Sequence, residues 1–205
     1  MVNTPWDRAK TGTEHGEQSA LFQWCNMAAR FGVEAANDAA SYAIAGYAQS
    51  KYGHKPLNET CQGGGPNAVP QLARLYAIHN QGHGDRIRGN RARAEGVKKG
   101  VPDVHLPIPR LASDLDHEIF GPLVVPYRDG GYGFGVVCGL YIELKVREVT
   151  KPGVRKAEVV VRRAGTTSDQ QDDWINFLRG AGHAVAVCYG WEEARDVLLA
   201  YLGLR

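Results

Sequence analysis

The chain predicts an α/β domain with a central mixed β-sheet flanked by helices. Three observations point that way. Apolar residues recur at helical spacing in stretches near 17–31, 168–180 and 191–202. Short apolar runs bounded by glycine or proline, at 101–106, 136–149 and 184–189, have the length and composition of strands. The order is helix, three or four strands, helix, strand, helix, which fits a mixed sheet covered by helices.

Residues 1–13 are polar and read as a loose N-terminus, leaving 14–205 as a single domain. Glu17–Phe31 reads as the first helix, with Leu21, Trp24, Cys25 and Ala28 on its apolar stripe. Glu17 lies four residues before Leu21 and therefore on that stripe, an unusual place for a carboxylate. The alanine-rich stretch 33–50, with Tyr42 and Tyr47, suggests a second helix, and Gly63-Gly64-Gly65-Pro66 halts any regular element. Leu72–Ile78 has strand composition, and Asn80–Asn90 is a glycine-punctuated basic loop or hairpin.

Val101–Leu106 reads as a strand cut off by Pro107 and Pro109. Residues 107–135 form a long proline- and glycine-rich connection, and loops of that length are usually functional. Val136–Val149 is the central strand. Lys151-Pro152-Gly153 has turn chemistry, so Ala157–Arg162 would pair back as a hairpin. Ser168 and Gln171 form a capping box that opens a helix with Trp174, Ile175 and Leu178 inward, ended by Gly180 and Gly182. Ala184–Tyr189 is a buried strand. Trp191–Leu202 is the last helix, with Ala194, Val197, Leu198 and Tyr201 on one face.

Composition excludes several classes. The 205 residues suit one domain with insertions, and 43% hydrophobic with 22% charged residues is ordinary for a globular protein. No apolar run approaches the ~20 residues of a membrane span. The four cysteines, Cys25, Cys61, Cys138 and Cys188, form no C-x-x-C pair, which fits reduced thiols in a cytoplasmic protein. The net charge of +2 is small, but Arg86, Arg88, Arg91, Arg93, Lys98 and Lys99 stand against a single acid, Glu95, in one segment. Such a run is often only solvated surface, and it is equally the chemistry that binds phosphates. His79 and His83 lack a Cys or Glu to complete a zinc site, and the Gly130–Gly135 run lacks the Lys-Ser/Thr of a phosphate-binding loop.

The chemistry concentrates in two strands. Asp103 sits in Val-Pro-Asp-Val-His-Leu, and Glu143 and Lys145 sit in Leu-Tyr-Ile-Glu-Leu-Lys-Val-Arg. Strand side chains alternate, so Glu143 and Lys145 share a face. Charge inside an apolar strand is costly unless paired or holding a metal. Two carboxylates suit a hard cation, and a lysine adds fixed positive charge beside a reacting phosphate. The plainer reading is a turn aspartate beside a cross-strand ion pair.

Thirty-nine residues separate Asp103 from Glu143, so Pro102-Asp103 followed by Glu143-x-Lys145 has the PD-(D/E)XK form. The stretches Gly96–Asp103, Gly139–Lys145, Ser168–Trp174 and Gly182–Gly190 follow in one order. Together they resemble the VRR-NUC nucleases, in particular small stand-alone phage and bacterial members. The resemblance spans roughly residues 14–31 and 70–205. It implies a restriction-endonuclease-like fold, cleavage of DNA with Mg²⁺ or Mn²⁺, and a homodimer acting on branched DNA such as four-way junctions in the (host) cytoplasm. By position it makes Asp103 and Glu143 metal ligands and Lys145 the catalytic lysine. Glu17 matches the acid of the first helix, also near the metal, and Gln171 the glutamine after the lysine strand. Backbone carbonyls of Val104 and Leu144 would complete the coordination. Residues 32–69, 107–135 and 149–163 read as insertions, and Tyr42, Ile44 and Tyr47 in the first would serve a dimer contact or shape the DNA groove. Two rivals are an exonuclease or flap nuclease using the same site, and a catalytically silent DNA-binding or assembly module.

Overall fold

Alternation along Leu140–Lys145 sets the middle of the molecule. Leu140, Ile142 and Leu144 turn to one side of the strand and are buried. Tyr141, Glu143 and Lys145 turn to the other. The computed structural model describes residues 4–52, 65–79, 94–121, 123, 125–126, 132–133, 135–152, 158–162 and 164–204. Over these, the strands are β1 (Tyr76–Ala77), β2 (Val104–Leu106), β3 (Arg110–Leu111), β4 (Val125–Pro126), β5 (Tyr132–Gly133), β6 (Val136–Val137), β7 (Leu140–Lys145), β8 (Val149–Pro152), β9 (Glu158–Arg162) and β10 (Ala184–Tyr189). The helices are α1 (Pro5–Ala9), α2 (Glu14–Phe31), α3 (Val33–Asn37), α4 (Ala39–Tyr52), α5 (His117–Phe120), α6 (Asp169–Gly180) and α7 (Trp191–Leu202).

The central sheet has the spatial order β1-β2-β7-β10. β2 is antiparallel to β1 and β7, and β10 is parallel to β7, so the sheet is mixed as the sequence predicts. Val104 lies opposite Ile142, and Val187 opposite Glu143. On the face of Leu140, Ile142 and Leu144, α2 and α7 supply Leu21, Trp24, Ala28, Ala194, Leu198 and Tyr201 to the main core. Full burial of each large side chain there contributes roughly 1.5–3 kcal/mol. On the other face, Ile175 and Leu178 of α6 pack on Val185, Tyr141 and Val187, with Trp174 half-buried at the margin. The result is a helix–sheet–helix sandwich whose polar residues Glu143 and Lys145 lie under the start of α6.

The predicted outer helices form with their caps. Thr13 caps α2, which starts at Glu14, three residues earlier than the sequence reading placed it. Ser168 and Gln171 complete the capping box of α6. That helix ends at Gly180, and Gly182 follows with φ +87°, a conformation that glycine adopts without strain.

Other elements differ from the expectation. The N-terminus is not loose: Thr4 and Asp7 form a capping box, Pro5 starts α1, and Trp6 packs edge-on against Trp191 and Tyr42. The stretch 33–50 is two helices, because Asp38 is extended at φ −98°, ψ 115° and its carboxylate accepts from the N–H groups of Ala40 and Ser41. Tyr42 is not surface; it is buried and its hydroxyl donates to the Ala36 carbonyl at 2.8 Å. Leu72–Ile78 is only partly strand: Pro70–Arg74 is a 3₁₀ turn started by proline, and β1 keeps two residues. The 107–135 connection carries a second 3₁₀ turn (Ala112–Asp114), α5, the pair β4–β5, and β3, which pairs with β6 just beyond it.

Val136–Val149 is not one strand: it is interrupted at Cys138–Gly139 and again over 146–148, so only Leu140–Lys145 lies in the central sheet. A Cβ at Gly139 would lie 2.7 Å from His105 Nε2 and 2.9 Å from the Leu106 carbonyl, so only glycine fits that approach. The 149–162 hairpin forms, with Lys151 and Pro152 in β8 itself; Gly153 and Asn80–Asn90 lie outside the described residues. Among the described residues no helix is long and apolar enough to cross a membrane. Cys25, Cys138 and Cys188 are free thiols.

Candidate active site

Antiparallel register brings the two acidic strands together. Val104 faces Ile142, so one residue further Asp103 comes opposite Glu143. Asp103 stands just before β2. Its carbonyl accepts from Ile78 N–H at 2.7 Å, and its carboxylate accepts from Leu144 N–H at 2.8 Å. The first bond ties Asp103 to the end of β1, and the second ties it to β7 at the level of the polar pair.

Glu143 and Lys145 are 1% and 4% exposed. Their shared strand face, predicted from period two, is realised as an ion pair of 2.8 Å. Gln171 completes the group from α6. Its Nε2 donates to Glu143 Oε1, and its Oε1 accepts from Lys145 Nζ at 3.3 Å and from Ser168 N–H at 2.9 Å. One side chain thus closes the capping box and locks the ion pair. The capping box does not account for Gln171 alone.

Glu143 is held well above the usual carboxylate range, at about 7. Burial is the main cause, and the charge of Asp103 adds to it. Lys145 pulls the other way through its hydrogen bond and charge without prevailing. Burial also works against the Lys145 ammonium, but Glu143, with Glu14 and Asp103 behind it, outweighs that and raises the lysine. Lys145 therefore stays charged at neutral pH. The second carboxylate oxygen of Glu143, Oε2, is buried with no hydrogen-bond partner. A buried lone acceptor beside a second acid is an arrangement that a cation relieves.

Two first-helix acids divide their tasks unexpectedly. Glu17 is 2% exposed, and its Oε2 accepts from Trp191 N–H at 3.0 Å. It thereby caps α7, whose own N-cap, Gly190, offers no side chain. Glu14, one turn earlier and half-exposed, approaches Lys145 Nζ at 3.7 Å and adds its charge to Glu143. Sequence reading singled out Glu17 and passed over Glu14. The available signal was spacing, since residues three apart share a helix face. We expect Glu17→Ala to lower unfolding stability by about 1–3 kcal/mol by leaving a buried N–H unpaired, and Glu17→Gln, which keeps an acceptor, to lose clearly less. Urea unfolding of the two variants measures this; equal losses would remove the capping role.

Beyond Glu143 the same sheet face is aromatic. His105 stacks on Tyr141 at 4.0 Å between ring centres, and its Nδ1 shares a 2.7 Å hydrogen bond with the Tyr76 hydroxyl. Burial, then His183, lowers His105 to about 4, so it is neutral at physiological pH. Lys98 and Lys99 are exposed a few residues before Asp103. Arg86, Arg88, Arg91 and Arg93 lie outside the described residues.

The arrangement suits a hard divalent cation. Among the described residues no three Asp, Glu, His or Cys side chains gather into a ready cage. Mg²⁺ does not need one, since it commonly takes one or two carboxylates and keeps several waters. Asp103 and Glu143 fit that description, with the orphan Oε2 as the acceptor left over.

No family model matches this chain, and no curated protein matches it. Among solved structures it is similar to a "VRR_NUC domain protein", with 16% sequence identity and a TM-score of 0.44, over 94% of this chain and 90% of that one.

Proposed function

We propose that this protein is a divalent-metal-dependent endonuclease that hydrolyses DNA phosphodiester bonds, selective for branched structures such as four-way junctions. The observation that carries the reading is the buried Glu143 carboxylate, unpaired at Oε2, set against Asp103 and next to a charged lysine. A perturbed acid with a named charge partner is a recurring mark of a working site.

Asp103 and Glu143 would hold Mg²⁺ or Mn²⁺, with the Val104 and Leu144 carbonyls as further oxygens and Glu17 contributing only through the oxygen that Trp191 leaves open. When bound, such a cation lowers the pKa of a coordinated water and polarises a phosphate oxygen. Lys145 presents a fixed positive charge for the attacking water or for charge that develops on the phosphate. Gln171 holds the Lys145 ammonium and the Glu143 carboxylate in one orientation. Lys98 and Lys99, with Arg86, Arg88, Arg91 and Arg93, would grip backbone phosphates, which gives affinity and register without reading bases.

Cutting a junction takes two nicks, and a symmetric homodimer supplies two equal sites. The α3–α4 segment offers a contact: Ile44 is 70% exposed beside an apolar groove of about 190 Å³ with Met27, Phe31, Ala35 and Ala45. The test is a panel of duplex, flap, single-stranded and four-way-junction DNAs with Mg²⁺, Mn²⁺ or EDTA, read on denaturing gels, with light scattering on the same sample. Internal cuts that need metal and favour the junction, made by a dimer, are expected. Stepwise shortening from ends would make it an exonuclease. Silence on every substrate would make it a binding module. A monomer would remove the paired-nick mechanism.

A further inference from the structure

Next to the catalytic group lies a second basic position that the reading above does not use. Arg147 stands two residues past Lys145, where the chain leaves β7. Its guanidinium packs on Gly190, a residue at φ +97° whose absent Cβ would lie 2.5 Å from Arg147 Nη2 and 2.7 Å from Nε. Any other residue at 190 would be strained and would displace the arginine. Gly190 N–H in turn donates to the Lys145 carbonyl at 2.9 Å. Arg147 is thus seated by the same backbone that ends the catalytic strand.

Arg147 borders a cleft of about 520 Å³ whose walls include Lys10, Thr11, Glu17, Trp191 and Glu192. Arg147 Nη1 pairs with Glu192 Oε2 at 2.8 Å, and both side chains are about two-fifths exposed (40% and 37%). A phosphodiester offers two oxygens that match the planar fork of a guanidinium, and it would take the place of the Glu192 carboxylate. Glu192 lies in the first turn of α7, where the helix dipole favours negative charge. It can therefore give up the arginine without being stranded. Glu17, the other acid of the cleft, is tied to Trp191 N–H.

We propose that Arg147 and this cleft form a phosphate-binding subsite for the nucleic-acid strand beside the scissile position, with Glu192 as the resident anion that a phosphodiester displaces. This rests on the nuclease reading, since the strand must already lie at Lys145. Arg147 acts as a positioning residue: it holds the backbone next to the cut and does not touch the reacting atoms.

Fluorescence anisotropy of a labelled four-way junction, in EDTA and across a salt series, tests the subsite without turnover. Arg147→Gln is expected to weaken binding several-fold at low salt and to flatten the log–log salt dependence by roughly one phosphate contact. Glu192→Gln is expected to tighten binding and leave the slope unchanged or steeper. A wild-type slope in Arg147→Gln, with unchanged affinity in Glu192→Gln, reduces the pair to a surface ion bridge and overturns the subsite while leaving the nuclease reading standing. Wild-type protein that binds no DNA overturns both. Should Arg147→Gln fail to fold, Glu192→Gln decides alone: no gain in affinity overturns the proposal.

Discussion

Asp103→Asn is expected to leave a folded protein that binds DNA and cuts it poorly. The substitution keeps the shape and an oxygen able to accept from Leu144 N–H, the bond that holds this position to β7 at 2.8 Å. What it removes is one of the two carboxylates that would hold the proposed metal. Changing a group that merely supports a metal ligand typically costs about 10–100-fold in activity, so loss of a ligand charge should exceed roughly 100-fold. The same substitution takes away the charge that helps to raise Glu143, so Glu143 should ionise at lower pH in the variant. Steady-state cleavage of the preferred DNA form, with circular dichroism as the folding control, measures the first effect. Turnover within a few-fold of wild type would dismiss Asp103 as a metal ligand.

The readable parts of this chain are those where local pattern and tertiary environment ask for the same residue. Leu140, Ile142 and Leu144 alternate with Tyr141, Glu143 and Lys145, and that alternation was enough to place Glu143 and Lys145 on one face. Ser168 and Gln171 carry a helix start in their own spacing. Elements made by distant partners were illegible. β3, β4, β5 and β6 have two residues each, and such strands exist only because of what they pair with. Glu17 was conspicuous in sequence because it lies on an apolar stripe, and it is buried as that implies. Its partner Trp191 N–H is 174 residues away, and nothing local announces a helix lacking its own cap. Glu14 looked like an ordinary first-turn acid and became relevant only when α2 was laid beside β7. Arg147 gave no signal either, because the feature that seats it is the missing side chain of Gly190.

Lys145→Met should be the most damaging single change to stability as well as to catalysis, and its damage should depend on pH. Methionine fills the stem volume of lysine but brings no charge. In the native protein the ammonium lies 2.8 Å from Glu143 and also binds Gln171. Its removal strands a carboxylate that is 1% exposed and already faces Asp103. Removing one partner of a buried pair generally costs about 3–5 kcal/mol. Glu143 can escape part of that cost by taking up a proton. Its folded pKa is raised to about 7 against an ordinary value of 4.5, so between those values the folded state holds more protons than the unfolded one. Stability from this group is then greatest below about pH 4.5, falls as pH rises, and is lowest above the folded pKa. Without Lys145 to oppose it, that folded pKa moves higher and the slope extends past pH 7. The variant should therefore approach wild-type stability near pH 5 and lie about 3 kcal/mol or more below it at pH 8. Urea unfolding at the two pH values, in EDTA, supplies the comparison. A deficit independent of pH would mean that Glu143 is compensated by something other than Lys145, and the charge assignment at the centre of the site would have to be redrawn.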